Sequence, residues 1–128
     1  MRILVDSHSY IWAKLNDRRL SKRAASIIRS DDHELFFSYA SLWEISIKIR
    51  LGRLRTVTSS VAFLHDSLIE DNVTLLPVRY EDILATEHLD HHHGDPFDRM
   101  LVAQAINRGL TMLTNDTEIK NYPVKTLW

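Results

Sequence analysis

The stretch Asp95–Asp116, DPFDRMLVAQAINRGLTMLTND, decides the fold. Asp95-Pro96 reads as a helix start. An acid stands in the capping place, and a proline follows where its missing N–H is not needed. Phe97, Met100, Leu101 and Ala105 then fall on one face at helical spacing over 96–108, and Gly109 is the matching stop. Leu110–Thr114 is a short apolar run that predicts a buried strand, ended by Asn115-Asp116. A helix that carries the chain back to a buried strand is one unit of a parallel sheet.

The same grammar holds elsewhere. Arg2-Ile-Leu-Val predicts a strand at 2–5, ended by Asp6, and Ser7 or Ser9 starts a helix around Tyr10–Leu15. Leu20-Ser21 opens a second helix with Ala24, Ala25, Ile27 and Ile28 on its apolar face. Asp31-Asp32-His33 breaks the chain before a Phe-rich strand, Glu34–Ser38. Tyr39–Leu51 is helical, with Leu42, Ile45 and Ile49 in register and Gly52 as stop. A loop at 53–60 leads to a helix at Val61–Glu70 whose buried side is Val61, Leu64, Leu68 and Ile69. A strand at Val73–Val78, a helix at Tyr80–Leu89, a loop at His91–Gly94 and a last strand at Val124–Leu127 complete the pattern. Strands alternating with helices imply an α/β domain whose parallel sheet is covered on both faces, a three-layer α/β/α arrangement. The 128 residues contain no repeat, linker or low-complexity stretch and read as a single domain, 1–128.

Composition narrows the function. There is no cysteine, which excludes a disulfide framework and thiolate chemistry and fits a reducing compartment. No apolar run approaches a membrane span, and the N-terminus meets Asp6 and His8 too early for a signal peptide. The expectation is a soluble, cytoplasmic protein without a membrane partner. Net charge is only −1, but it is unevenly spread: residues 1–64 hold 11 Lys/Arg against 6 Asp/Glu, and residues 65–128 hold 5 against 11. The basic residues cluster as Arg18, Arg19, Lys22, Arg23 and as Lys48, Arg50, Arg53, Arg55. They make either a basic stripe beside an acidic site or two solvated helix faces.

Four acids carry the chemistry. In an open parallel sheet, ligands bind beyond the carboxyl ends of the strands. Asp6 and Asp116 follow strands directly, Asp98 lies in the first turn of a helix that starts at the same edge, and Glu44 lies one turn into the helix after the Phe36-Phe37 strand. Carboxylates at close quarters repel unless a cation lies between them, and all-oxygen ligation suits Mg²⁺ or Mn²⁺. Such a site points to phosphodiester hydrolysis without a protein nucleophile. Each acid also has a plain structural reading: Asp6 as a helix cap, Glu44 with Lys48 as a surface i,i+4 pair, Asp95-Pro96-Phe97-Asp98 as a helix start, Asn115-Asp116 as a turn.

The ordered set ILVDSHSYIW, SYASLWEISIKIRLGRL, HHHGDPFDRMLVAQA and LTNDTEIKNYPVKTLW resembles the PIN-domain family, specifically its VapC-type toxins from toxin–antitoxin pairs. The resemblance covers nearly the whole chain. It implies a sheet of about five parallel strands and a Mg²⁺-dependent endoribonuclease, with Mn²⁺ as substitute. Asp6 and Asp98 would be the main metal ligands, with Glu44 and Asp116 completing the catalytic metal site, directly or through water. Thr114 and Asn115 would support the ligands, and Asp95 fits the cap position better than a ligand role. Ser7 stands where many relatives have Thr, which keeps the hydroxyl. The resemblance further implies an RNA substrate, a homodimer and a VapB-type antitoxin that covers the groove; Tyr10, Trp12, Trp43 and Phe63 are candidates for such contacts, with core packing the commoner fate of aromatics. His91-His92-His93 lacks the cysteines of a zinc set and reads as a polar loop at the rim. Arg99 is placed to meet a phosphate, an acid of a neighbouring subunit or a surface partner. The readings set against the nuclease are a PIN-like module that binds RNA or protein without cutting, a receiver-like domain, and a flap nuclease. The four acids, the lone Asp6 on the first strand and the short chain speak against them in turn.

Overall fold

A computed structural model describes residues 1–54 and 60–128. Arg55 and the middle of the expected 53–60 loop lie outside the described residues. The elements are β1 (Arg2–Val5), α1 (Ser7–Leu15), α2 (Lys22–Arg29), β2 (Glu34–Ser38), α3 (Tyr39–Arg50), α4 (Val61–Glu70), β3 (Thr74–Leu76), α5 (Tyr80–His88), α6 (Pro96–Arg108), β4 (Thr111–Leu113), a 3₁₀ turn (Ile119–Asn121) and β5 (Thr126–Leu127). All pairings are parallel, in the order β3-β2-β1-β4-β5.

Alternation along the strands builds three layers. Ile3, Val5, Leu35, Phe37 and Leu113 point to one face, where Tyr10, Ile11, Ala24, Ile27, Leu64 and Leu68 of α1, α2 and α4 cover them. Leu4, Phe36 and Met112 point to the other, against Leu101, Val102 and Ala105 of α6 with Ile119 and Tyr122. Helix ends follow local chemistry. Gly52 at φ 67° lets α3 close with Gly52 N–H to Ile49 O and Arg53 N–H to Lys48 O. Gly109 at φ 62° does the same for α6.

Several expectations shift. β3 is Thr74–Leu76 rather than Val73–Val78, because it is an edge strand and Pro77 has no N–H for a ladder. The last strand is Thr126–Leu127, with Val124 outside it, and Leu110 and Thr114 flank β4. Asp6, not Ser7 or Ser9, caps α1. Ile69 is exposed and Ser67 takes the inward place on α4. Tyr10 is core, 1% exposed, its hydroxyl donating to Asp71 at 2.6 Å, so it offers no contact surface. Below α6, Asp82 is fully buried with Arg108, which donates to both of its oxygens, and with Asn107. Burial alone would raise the Asp82 pKa, but Arg108, the Arg79 N–H and Asn107 outweigh it and hold the carboxyl below its usual range. Among the described residues no helix is long and apolar enough to cross a membrane.

Candidate active site

Strand order reverses direction at β1, whose neighbours β2 and β4 are followed by connections on opposite faces. Such a point opens a crevice at the carboxyl edge. Asp6 N–H extends the ladder to Leu113 O at 3.2 Å, which sets Asp6 between β1 and β4 at that crevice. A polar cleft of about 330 Å³ lies there, lined by Asp6, Ser7, His8 and Trp12 from β1–α1, Glu44 and Lys48 from α3, Asp95 and Asp98 from the start of α6, and Asn115 and Asp116 after β4.

Each acid is placed by an identifiable local cause. Asp6 caps α1, its Oδ1 accepting from Ser9 N–H at 2.8 Å; the plain capping role is real, and the residue lines the cleft as well. Glu44 is 5% exposed, so its pairing with Lys48 is no surface ion pair. Its Oε1 accepts from Ser7 Oγ at 2.7 Å and its Oε2 lies 3.0 Å from Lys48 Nζ. Lys48 Nζ also stands 3.4 Å from His8 Nε2. Asp95 is the α6 cap, one oxygen accepting from Phe97 and Asp98 N–H at 2.9 and 3.2 Å. Asp116 is held in a turn: its N–H donates to buried Thr114 Oγ1 at 3.1 Å, and its Oδ1 accepts from Glu118 N–H at 2.8 Å. Asn115 is exposed on the cleft wall.

Asp98 feels the crowding most. Burial first, then the charges of Asp95, Asp116, Glu44 and Asp6, push its pKa up to about 8. A carboxyl raised by burial and by crowding with other carboxylates marks a place that favours a cation. Geometry agrees: donor atoms of His93, Asp98 and Asp116 lie within 4.8 Å of one another. Oxygen-rich donors at this spacing fit a hard divalent ion.

Basic and aromatic groups border the cleft. The Arg19 guanidinium sits 4.7 Å over the Trp12 ring, which meets Trp128 edge-on at 6.1 Å and His8 at 5.8 Å. Arg19 is also paired with Asp17, so the first basic cluster is partly neutralised.

Two residues do otherwise than expected, and one was overlooked. Arg99 is engaged within the chain: it donates to Thr86 O, Leu89 O and Asp90 O at the end of α5, and to Tyr122 Oη. His93 leaves the rim. Its Nε2 is 3.3 Å from Asp98 Oδ2 and its Nδ1 is 3.0 Å from Tyr122 Oη, while His91 and His92 stay exposed. Tyr122, buried and touched by His92 at 4.7 Å between ring centroids, was not singled out by the sequence. A loop residue carries no periodicity, and Tyr122 lies 24 residues beyond Asp98, so no spacing in the sequence ties it to the DPFD helix start.

Comparison with known proteins places the fold. The chain is 28% identical to "Ribonuclease VapC22" of Mycobacterium tuberculosis over 130 residues, 98% of each sequence. Its fold is similar to that of VapBC2 from Rickettsia felis, solved bound to a fragment of promoter DNA (TM-score 0.73, 11% identity, 99% and 98% of the two chains). It is likewise similar to a toxin–antitoxin complex from Klebsiella pneumoniae (0.66, 13%, 98% and 96%). The sequence profile of the PIN domain matches residues 3–125. With its sheet order and its acidic cleft at the carboxyl edge, the chain belongs to the PIN-domain family.

Proposed function

We propose that this protein is an Mg²⁺-dependent endoribonuclease, with Mn²⁺ as substitute, and the toxin half of a pair completed by a VapB-type antitoxin in the cytoplasm. The carrying observation is that Asp6, Glu44, Asp98 and Asp116, from four separate segments, line one cleft at the sheet's carboxyl edge. The names of the M. tuberculosis relative and of the Klebsiella complex support the ribonuclease and antitoxin parts.

In this reading Asp6, Asp98 and Asp116 hold the ion, and Glu44 is aimed by Ser7 and Lys48. A divalent cation held there would supply Lewis-acid chemistry and an activated water at the phosphate. The protein's own part is placement: Thr114 fixes the Asp116 turn, Asp95 fixes the α6 start that carries Asp98, and α1 holds Asp6 through its cap. Lys48 and His8, on the cleft wall, are set to meet the phosphate backbone.

A homodimer finds support in the surface. Tyr39, Trp43, Ile47 and Leu51 form an exposed stripe at i,i+4 spacing on α3, Trp43 being 65% exposed. It borders an apolar groove of about 570 Å³ shared with Val78, Ile83, Phe97 and Met100. Exposed apolar area of this extent on a soluble domain marks an interface. Trp12 on the cleft and Phe63 on α4 remain open to the antitoxin.

Mapping RNA ends in cells after induced expression, with and without the antitoxin, tests the proposal. New ends at a dominant position, suppressed by the antitoxin, are expected. An unchanged RNA population with folded protein present would leave the non-catalytic module as the better account.

A further inference from the structure

We propose that His93 supplies a nitrogen donor to the cation held by Asp98 and Asp116, so that the centre is a mixed imidazole–carboxylate site; this rests on the metal-site reading above. His93 Nε2 stands 3.3 Å from Asp98 Oδ2, and a ring nitrogen of His93, an Asp98 oxygen and an Asp116 oxygen all lie within 4.8 Å of one another. Adjacent donors around one ion with bonds near 2.1 Å are separated by roughly 3 Å, so the 3.3 Å between His93 Nε2 and Asp98 Oδ2 matches neighbouring positions on a single ion, with Asp116 beside them.

The rest of the imidazole is arranged as a ligand's is. A metal-bound histidine is oriented by a hydrogen bond at its other nitrogen. Here that nitrogen, Nδ1, is 3.0 Å from Tyr122 Oη. Tyr122 is itself fixed: it is buried, its ring meets that of His92, and Arg99 donates to its Oη at 3.1 Å. Metal binding would select the tautomer in which Nδ1–H donates to the phenol oxygen, beside the guanidinium. That tautomer leaves Nε2 with a free lone pair facing the acids. His91 and His92, with no such partners, stay outside the centre. The chemical consequence is selectivity. Imidazole suits later divalent ions and adds little for Mg²⁺, which prefers oxygen and water.

Pulsed electron paramagnetic resonance on metal-stripped protein reloaded with Mn²⁺ tests this directly. The wild type is expected to show nitrogen-14 hyperfine coupling that disappears in His93→Gln. Calorimetric titration of the same samples is expected to show at least a tenfold loss of Mn²⁺ affinity, and a loss for Mg²⁺ of about threefold or less. Tyr122→Phe, which keeps the ring and removes the partner of Nδ1, is expected to weaken Mn²⁺ binding by roughly tenfold or more. It serves as the test should His93→Gln fail to fold. Mn²⁺ bound by the wild type without nitrogen coupling overturns the inference and leaves the carboxylate site standing. Coupling that persists in His93→Gln also overturns it and assigns the nitrogen to another residue. A wild type that takes up no Mn²⁺ brings down the metal-site reading and this inference together.

Discussion

Replacing Asp98 with Asn removes the charge the cleft tolerates least, and the size of the effect follows from its surroundings. The side chain is 20% exposed, and burial with four neighbouring carboxylates raises its pKa from 3.8 to about 8. The folded state therefore prefers the neutral acid. This contribution to stability is fully present below the unfolded pKa and is lost as pH rises through the folded one. At pH 7 the metal-free protein stands about 3 units above the unfolded pKa, which at ~1.36 kcal/mol per unit amounts to about 4 kcal/mol. Water and counter-ions reach the exposed part of the group, so the expected gain of Asp98→Asn over wild type in EDTA is about 2–4 kcal/mol, or a Tm higher by roughly 5–15 °C. At pH 4 the two proteins should agree within about 1 kcal/mol, because there both carry a neutral group. Mn²⁺ at a hundred times its Kd should then raise the wild type by about 2.7 kcal/mol and the variant far less, since a cation is what the cleft's charge awaits. Thermal unfolding at pH 4 and 7, with EDTA or Mn²⁺, reads all four values. An Asp98→Asn protein no more stable than wild type in EDTA at pH 7, or a gap that does not change with pH, would refute the reasoning.

Other residues give sharp expectations. Asp82→Ala should cost about 3 kcal/mol in urea unfolding, because it leaves Arg108 half-buried without its partner. Pairing it with Arg108→Met should recover much of that loss. Ser7→Ala removes the donor to Glu44 Oε1 and should lower stability by about 1–2 kcal/mol while cutting the rate of RNA cleavage several-fold. Asp95→Asn keeps an oxygen for the Phe97 and Asp98 N–H groups, so its Tm should not fall and cleavage should persist, whereas Asp95→Ala should lose about 1 kcal/mol. Trp43→Glu puts a charge in the middle of the α3 stripe; sedimentation should show the parent as a dimer and the variant as a monomer.

The 95–116 stretch was legible because each of its signals acts locally: a cap, a proline, a helical face, a left-handed glycine and a buried strand. The acids were legible for the same reason, since strand ends and helix starts fix an edge of the sheet whatever packs around them. Capping and cleft-lining proved compatible for Asp6, because a carboxylate has two oxygens and Ser9 N–H engages only Oδ1. Long-range pairings were not legible. Arg99 saturates carbonyls at the end of α5, and Asp82 meets Arg108 across 26 residues; neither leaves a trace in spacing. His93 belongs with them, since its direction depends on Tyr122, 29 residues on. Ile69 misled because α4 is apolar on more than one side, and only packing decides that Leu64 and Leu68 turn inward.

Asp6→Asn tests the central claim most directly. Asn retains an acceptor for Ser9 N–H and is as good a helix cap as Asp, so the fold should stay and only the charge is lost. The parent protein should cleave RNA in Mg²⁺ or Mn²⁺ and fall silent in EDTA, and Asp6→Asn, with an unchanged Tm, should show no cleavage above background. An Asp6→Asn protein that cuts RNA at the parent rate would contradict the account.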